Sequence, residues 1–180
     1  MRDFVHLHLH SEYSLLDGAC RISCIPKTVS ALGQKSVAIT DHGVMYGVVA
    51  FYNACREAGI KPIIGCEVYV AKGSRYDRSG SGESDYNHLL LLVKNEVGYK
   101  NLIYMVSKAF TEGFYRKPRI DLELLSAHSE GLIALSACLA GYIPRQIING
   151  NLEAAEEYAL KLDNIFGSGN FYLELQDQGI

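Results

Sequence analysis

The fold is decided by residues 36–70, which read SVAITDHGVMYGVVAFYNACREAGIKPIIGCEVYV. Residues 36–40 are a short apolar run that suits a buried strand, and residues 47–58 follow as a helix closed by Gly59. Residues 61–70 return to a strand pattern, with a proline near the start, where its missing backbone donor costs least. A strand, a helix and a second strand in this order predict a βαβ unit of a parallel α/β sheet.

The same alternation continues on both sides of this unit. The predicted elements are a strand at 4–9, a helix capped by Ser23 and stopped by Gly33, a strand at 88–93, a helix at 95–110, a strand at 131–136, a helix at 151–166 and a strand at 171–175. Residues 72–85 predict a surface loop, and residues 113–120 predict an exposed turn. Such a parallel sheet is doubly wound or closed as a barrel, and its sites lie at the carboxyl ends of the strands.

Length and composition indicate one globular domain. The 180 residues are 48% hydrophobic and 21% charged, which excludes disorder and collagen-like repetition. The chain has 17 basic and 20 acidic side chains and a net charge of −3, so we expect any contact with nucleic acid to be local. No apolar run is long enough to span a bilayer, and the amino terminus lacks a secretory signal. The five cysteines form no paired framework, so we expect a cytoplasmic protein with reduced thiols and no membrane partner.

The predicted strand ends carry side chains of the types that bind metal ions. In chain order they are His8 and His10, Asp17, Asp41 and His42, Glu67, His88, and Cys138. Residues two apart in a strand face the same side, so His8 and His10 can bind one ion together. Each side chain alone has an ordinary explanation, such as a hydrogen-bonded core histidine or a small buried cysteine. Their joint placement at one edge of a sheet predicts a metal site.

The motifs around these side chains resemble those of the PHP (polymerase and histidinol phosphatase) domain family. They are HLHSEYSLLDG at 8–18, ITDHG at 39–43, GCE at 65–67 and LSACL at 135–139. Two further segments, KNEVGYKNL at 94–102 and GFYRKPRID at 113–121, are similar to the PHP domains at the start of bacterial replicative DNA polymerases. The resemblance extends from about Phe4 to the last residue.

The resemblance implies a distorted, seven-stranded, TIM-like β/α barrel that holds up to three divalent metal ions at its strand ends. The implied ligands are His8, His10, Asp17, His42, Glu67, His88 and Cys138. His6 has the same strand parity but lies outside the family pattern. Residues 1–180 are expected to be the N-terminal part of the metal-dependent phosphoesterase domain, without its last strands, its late Asp-x-His pair or the polymerase region.

The implied chemistry is metal-dependent phosphoester hydrolysis, in which ions lower the pKa of water and stabilise charge on the phosphoryl oxygens. Glu67 is expected to bridge ions, and His42 and His88 to complete the site. Cys138 favours zinc, whereas the imidazoles and carboxylates accept manganese or iron equally well. We therefore expect zinc or manganese first, and iron or magnesium as the next choice. By resemblance, the reaction is 3′–5′ exonuclease proofreading at the 3′ end of a DNA primer, beside a replicative DNA polymerase and its partner subunits.

Several alternatives stay open at this point. Arg116, Lys117 and Arg119 predict a contact with a DNA backbone, or else a solvated turn. Cys20 and Cys24 are spaced as in a second metal site, but no other soft ligand lies near them in the sequence. A free-standing phosphatase, such as histidinol phosphatase, and a catalytically silent, metal-stabilised scaffold for the polymerase are the alternative functions.

Overall fold

The chain folds into a mixed α/β domain, described by a computed structural model for residues 4–15, 17–79 and 85–177. In chain order the elements are α1 Ile25–Ala31, β1 Ser36–Ile39, α2 Val48–Glu57, β2 Lys61–Ala71, β3 Tyr86–Val93, α3 Glu96–Thr111, β4 Arg119–Ile120, α4 Leu122–Ala127, β5 Leu132–Leu135, α5 Tyr142–Ile148, α6 Leu152–Phe166 and β6 Phe171–Tyr172. The predicted βαβ unit is confirmed, because β1 and β2 pair in parallel with α2 between them. Most other predicted helices and strands also form, within a few residues of the expected bounds.

The sheet has six strands in the order β1-β2-β3-β5-β6, with β4 beside the second half of β2. The expectation of an all-parallel sheet is wrong at β3, which runs antiparallel to both β2 and β5. No helix lies between β2 and β3 in the described residues, and a strand that returns without a helical crossover pairs antiparallel to its predecessor. The start of β3 therefore lies beside the end of β2, with His88 opposite Tyr69.

The first segment of the chain does not form the predicted strand. The chain bends at His8, and only a single bridge joins His6 to Val37 of β1. Two backbone hydrogen bonds hold the segment against β1, from Ala38 N to His6 O at 2.9 Å and from Thr40 N to Leu9 O at 2.9 Å. The segment thus extends the sheet edge without completing a ladder, and its bend presents histidines to the strand ends.

A side chain caps the first turn in some helices and not in others. Asn95 caps α3 by accepting a hydrogen bond from Gly98 N, and Asp121 caps α4 by accepting one from Leu124 N. Ser23 does not cap α1, because Cys24 occupies the cap position and makes no side-chain cap bond. The short helices α4 and α5 were not predicted from the sequence, since six or seven residues show too little of a helical period.

The core lies between the sheet and the longer helices. Its largest fully buried side chains include Leu91 of β3, Leu102 and Met105 of α3, Leu132 of β5 and Leu162 of α6. Each leucine of this size contributes about 1.5–3 kcal/mol on burial. Packing on the helical side therefore stabilises the strands whose ends carry the ligand-type side chains.

A buried ion-pair network fixes the described start of the loop between β2 and β3. Arg75 donates to both carboxylate oxygens of Asp121 at 2.9 and 3.1 Å and to Glu112 Oε2 at 3.0 Å. Contacts with Lys108, then Arg75 and Tyr76, lower the pKa of Glu112 from 4.5 to about 2. The network attaches the loop to the end of α3 and to the cap of α4.

The lowered pKa of Glu112 predicts an acid-dependent loss of stability. A carboxyl group whose pKa is lower in the folded state stabilises the fold above its unfolded pKa, and this contribution is lost as the pH falls from 4.5 to about 2. We expect Glu112→Gln to be less stable than the wild type at neutral pH, with the difference shrinking over that interval. Urea unfolding at a series of pH values measures it, and a pH-independent difference would contradict the prediction.

Candidate metal centre

The ends of the strands bring metal-ligating side chains together at one edge of the sheet. Their nitrogen and oxygen atoms lie within 4.8 Å of one another in three groups. The groups are His8 with His10 and Glu67, His10 with Asp17 and His42, and His42 with Glu67 and His88. Since neighbouring groups share a member, we treat these six residues and the adjacent Cys138 as one ligand cluster.

Glu67, on β2, is the centre of the ligand cluster, and none of its side chain is exposed. Its Oε2 atom lies 3.3 Å from His8 Nε2, 3.0 Å from His10 Nε2 and 2.9 Å from His42 Nδ1. Its Oε1 atom lies 3.1 Å from His88 Nδ1. The two oxygens thus face different imidazoles, which is the arrangement that a bridging carboxylate needs.

Asp17 forms the outer rim of the ligand cluster. Its Oδ2 atom lies 2.9 Å from His10 Nδ1 and 2.7 Å from His42 Nε2, and 58% of its side chain is exposed. The hydrogen bond with His10, followed by the one with His42, lowers the pKa of Asp17. Asp17 therefore carries its negative charge at the solvent-facing side of the site.

Asp41 supports the ligand cluster without belonging to it. This buried carboxylate accepts hydrogen bonds from Ser11 N at 2.6 Å, Ser11 Oγ at 2.7 Å and Ser14 Oγ at 2.7 Å. Ser14 Oγ in turn accepts a hydrogen bond from His42 N at 3.1 Å. Asp41 thereby joins the loop that carries Asp17 to the turn that carries His42.

Gly43 allows the tight turn that follows His42. Its φ angle of +63° lies in the left-handed region that glycine adopts without strain. A Cβ atom at this position would lie 2.9 Å from the side chains of Tyr69 and Pro118. The Asp-His-Gly motif therefore needs its glycine for both reasons, and the turn directs His42 toward Glu67.

Cys138 reaches the ligand cluster from the end of β5. The residue before it, Ala137, has a φ angle of +61°, which turns the chain sharply after the strand. Cys138 Sγ lies 3.6 Å from Glu67 Oε1 and 3.7 Å from His88 Nδ1. Burial, followed by the negative charge of Glu67, raises the pKa of the Cys138 thiol. A cation bound between these groups would reverse that effect and favour the thiolate.

The carboxylates control the protonation of the histidines. Burial lowers the pKa of His8, but the nearby carboxylates of Glu174 and Glu67 outweigh it and raise the pKa to about 9. The pKa of His10 is raised by Glu67 and Asp17 against the same effect of burial. Burial opposes ionisation of Glu67, yet the surrounding imidazoles hold its pKa below the usual range. The cluster is thus electrostatically coupled, as at many functional sites.

The residues of the ligand cluster fit a bound cation. The best indication is Glu67 Oε2, a buried oxygen without a hydrogen-bond partner among the described residues. Although imidazole nitrogens lie within 3.3 Å of Glu67 Oε2, no side chain in the described ranges gives it a hydrogen bond of normal geometry. His42 Nδ1 is also buried without a hydrogen-bond partner among the described residues. In addition, His8 Nε2 and His10 Nε2 lie 3.1 Å apart, so two lone-pair donors converge on one point. Divalent ions bind such sets of imidazole and carboxylate groups.

Comparison with known protein families decides the relationship. A family model of the PHP domain matches residues 6–178. The chain belongs to the PHP domain family. This PHP chain is also 52% identical over 178 residues to the DNA polymerase III subunit alpha of Treponema pallidum and 49% identical over 179 residues to that of Borreliella burgdorferi. In both cases the match covers 98% of the chain and 15% of the relative.

A solved structure shares the fold of this PHP chain. An amidohydrolase from Chromobacterium violaceum aligns with a TM-score of 0.52 and 16% identity, over 96% of this chain and 86% of that one. The likeness supports a mixed α/β fold. Within the described residues, no helix is both long and apolar enough to cross a membrane.

The basic turn of the PHP chain differs from the prediction at one residue. Arg116 and Lys117 are exposed, as expected, and the Lys117 ammonium lies 5.4 Å from the centre of the Tyr69 ring. Arg119 is buried in β4, and its guanidinium donates to backbone carbonyls of Gly113, Arg75 and Asp77. Its prediction as a DNA-contacting residue of an exposed turn is therefore wrong, because its donors are occupied inside the fold.

Other residues singled out in the sequence lie outside the ligand cluster. His6 belongs to none of the three groups, and its ring contacts Phe4 edge to face at 4.9 Å. Cys20 and Cys24 are free and exposed, and among the described residues they join no group of potential ligands. Within the described residues, the alternative of a second metal site at these cysteines therefore gains no support.

Two side chains near the site were missed by sequence reasoning. Glu174 Oε1 lies 2.7 Å from His8 Nδ1, and Gln176 Nε2 lies 3.1 Å from the same nitrogen. Both follow the observed strand β6, two positions apart, and both contact the same ring nitrogen of His8. The available signal was an acidic residue at the end of a strand, the same signal that identified Glu67.

Proposed function

We propose that this chain is the PHP part of a DNA polymerase III alpha subunit and hydrolyses phosphodiester bonds at the 3′ end of DNA with divalent metal ions. The observation that carries the proposal is the buried Glu67 carboxylate, surrounded by four imidazoles at 2.9–3.3 Å. The names and coverage of the relatives support the assignment to a replicative polymerase. The other subunits of the replisome would then be partners through the intact polymerase.

The residues have separate roles in this proposal. Bound ions would supply Lewis-acid activation of water and stabilise charge on the phosphoryl and leaving oxygens. Glu67 would be shared between the ions, since its two oxygens face different imidazoles, and His42 and His88 would be ligands on either side of it. With Cys138 in the donor set, zinc or manganese is preferred, and iron or magnesium is the next choice.

A cavity beside the ligand cluster is large enough for a substrate the size of a nucleotide. Its volume is about 500 Å³, and Asp17, His42 and His88 form the wall that it shares with the cluster. Lys117 and Arg145 are the basic residues that line it. Cavities of this size accommodate a small ligand or one nucleotide of a chain. A terminal nucleotide placed there would bring its phosphate to the proposed ions.

The proposal is tested with end-labelled DNA and the intact, metal-depleted protein. We expect added zinc or manganese to restore release of nucleotides from the 3′ end, and Glu67→Gln purified in the same way to release none. Bound metal without any hydrolysis would favour the silent scaffold instead. Release of phosphate from small phosphomonoesters but not of nucleotides from DNA would favour a phosphatase, and absence of metal binding would overturn the proposal.

Lys117 gives a specific prediction for DNA contact. Because its ammonium is exposed at the cavity, it is placed to bind one backbone phosphate. We expect Lys117→Ala to raise the KM for DNA and to lower the slope of log KM against log salt by about 1, with kcat nearly unchanged. Lys161→Ala, an exposed lysine on α6, is the matched control. Equal salt slopes for both variants and the wild type would contradict the contact.

A further inference from the structure

His8 is contacted from two opposite sides of its ring. Its Nε2 atom faces the ligand cluster, 3.1 Å from His10 Nε2 and 3.3 Å from Glu67 Oε2. Its Nδ1 atom faces away from the cluster and lies 2.7 Å from Glu174 Oε1. An imidazole that binds a cation through Nε2 keeps its proton on Nδ1, so the partner of Nδ1 decides how well Nε2 can act as a ligand.

Glu174 is itself held in place by neighbouring residues. Its backbone N donates to Ser136 Oγ at 2.8 Å, which ties the segment after β6 to the end of β5. Gln176 Nε2 donates to Glu174 Oε1 at 2.7 Å, and the Glu174 side chain is only 10% exposed. The carboxylate therefore has a fixed position relative to His8. Glu174 is not a member of the three groups of potential ligands in the described part of the chain.

We infer that Glu174 is a positioning residue of the metal centre, which accepts the Nδ1 proton of His8 and so presents the Nε2 lone pair to a divalent ion. The inference rests on the proposed metal-dependent function and adds a residue outside the ligand pattern. Ligating histidines commonly donate their second ring nitrogen to a carboxylate, which fixes the tautomer and increases the basicity of the ligand. Loss of such a partner costs about 10–100-fold in metal affinity.

A purely structural role for Glu174 makes a different prediction. If the carboxylate only secured the segment after β6, its removal would lower the stability of the metal-free protein and leave the affinity of the folded protein unchanged. If it acts through His8, the effect on affinity disappears once His8 is absent. A double-mutant cycle on metal affinity separates the two roles.

The experiment measures zinc and manganese dissociation constants of the intact protein by competition with a chelating dye. We expect Glu174→Ala to weaken binding about 10–100-fold, Glu174→Gln to weaken it less, and the exposed-site control Glu156→Ala to leave it unchanged. In a His8→Ala background, Glu174→Ala should cause no further loss. Urea unfolding of the same variants in chelator reports their metal-free stability.

The outcomes distinguish this inference from the proposed function. If the wild type binds metal and Glu174→Ala binds it equally well, the positioning role of Glu174 is wrong, but the proposed metal site is not contradicted. The role is also wrong if the full loss persists in the His8→Ala background. If the wild type binds neither metal, both proposals fail. Should Glu174→Ala not fold, the isosteric Glu174→Gln and Gln176→Ala carry the test, and wild-type affinity in both would overturn the inference.

Discussion

Replacement of Glu67 by glutamine is expected to eliminate metal binding and, with it, hydrolysis of DNA. Among the residues that the structure describes, the buried carboxylate is the group that contacts all four imidazoles, at 2.9–3.3 Å. Glutamine has the same size but no charge, and its NH2 group would point donors at nitrogens that must keep their lone pairs free. We expect the loss in affinity to exceed the ~10–100-fold cost of losing an outer-shell partner.

Elemental analysis after dialysis and the 3′-end assay measure this effect. Glu153→Gln on the exposed first turn of α6 provides the control, with the same chemical change and no contact with the ligand cluster. The circular dichroism spectrum of Glu67→Gln should match that of the wild type, so that loss of metal is not loss of fold. Metal content equal to that of the wild type would overturn the central role of Glu67.

The second large effect is expected at Asp41, through stability. Asp41→Ala removes an acceptor of three short hydrogen bonds from Ser11 and Ser14, both of which are buried. Hydrogen bonds to charged groups contribute about 1.5–3 kcal/mol each, and donors left buried without a partner are costly. We expect the free energy of unfolding to fall by about 3–5 kcal/mol.

Asp41→Ala should also weaken metal binding, because the loop that carries Asp17 loses its attachment to the turn of His42. Denaturant unfolding and metal titration measure the two effects on one preparation. Asp163→Ala, at an exposed position of α6, is the control and should change stability by less than about 0.5 kcal/mol. If Asp41→Ala changed the free energy of unfolding as little as the control does, Asp41 would not be needed to join the loop of Asp17 to the turn of His42.

The sequence was most informative where a feature depends on nearby residues. The strands around α2 were predictable from short apolar runs, and the ligand-type residues from their positions at strand ends. The structure brings His8, Glu67 and Cys138 to one edge although they lie far apart in the chain. Local pattern sufficed to select these residue types, although only Cys138 follows a strand end, whereas Glu67 lies inside β2 and His8 precedes the sheet.

Features that depend on distant partners were not predictable. The antiparallel direction of β3 follows from its direct pairing with the preceding strand β2, which the composition of residues 72–85 does not encode. Arg119 looked like a surface cation, but carbonyls from three separate positions satisfy its guanidinium inside the fold. Glu174 was overlooked because its importance arises only from its contact with His8, 166 positions earlier.

The contact between His8 and Glu174 bears on how the protein matures. It joins the first described segment to the last, so this part of the site can form only after residues 8–174 have left the ribosome. Closing so long a loop costs conformational entropy, which an ion bound near the junction would help to offset. Metal binding would then favour molecules in which these two distant segments have come together.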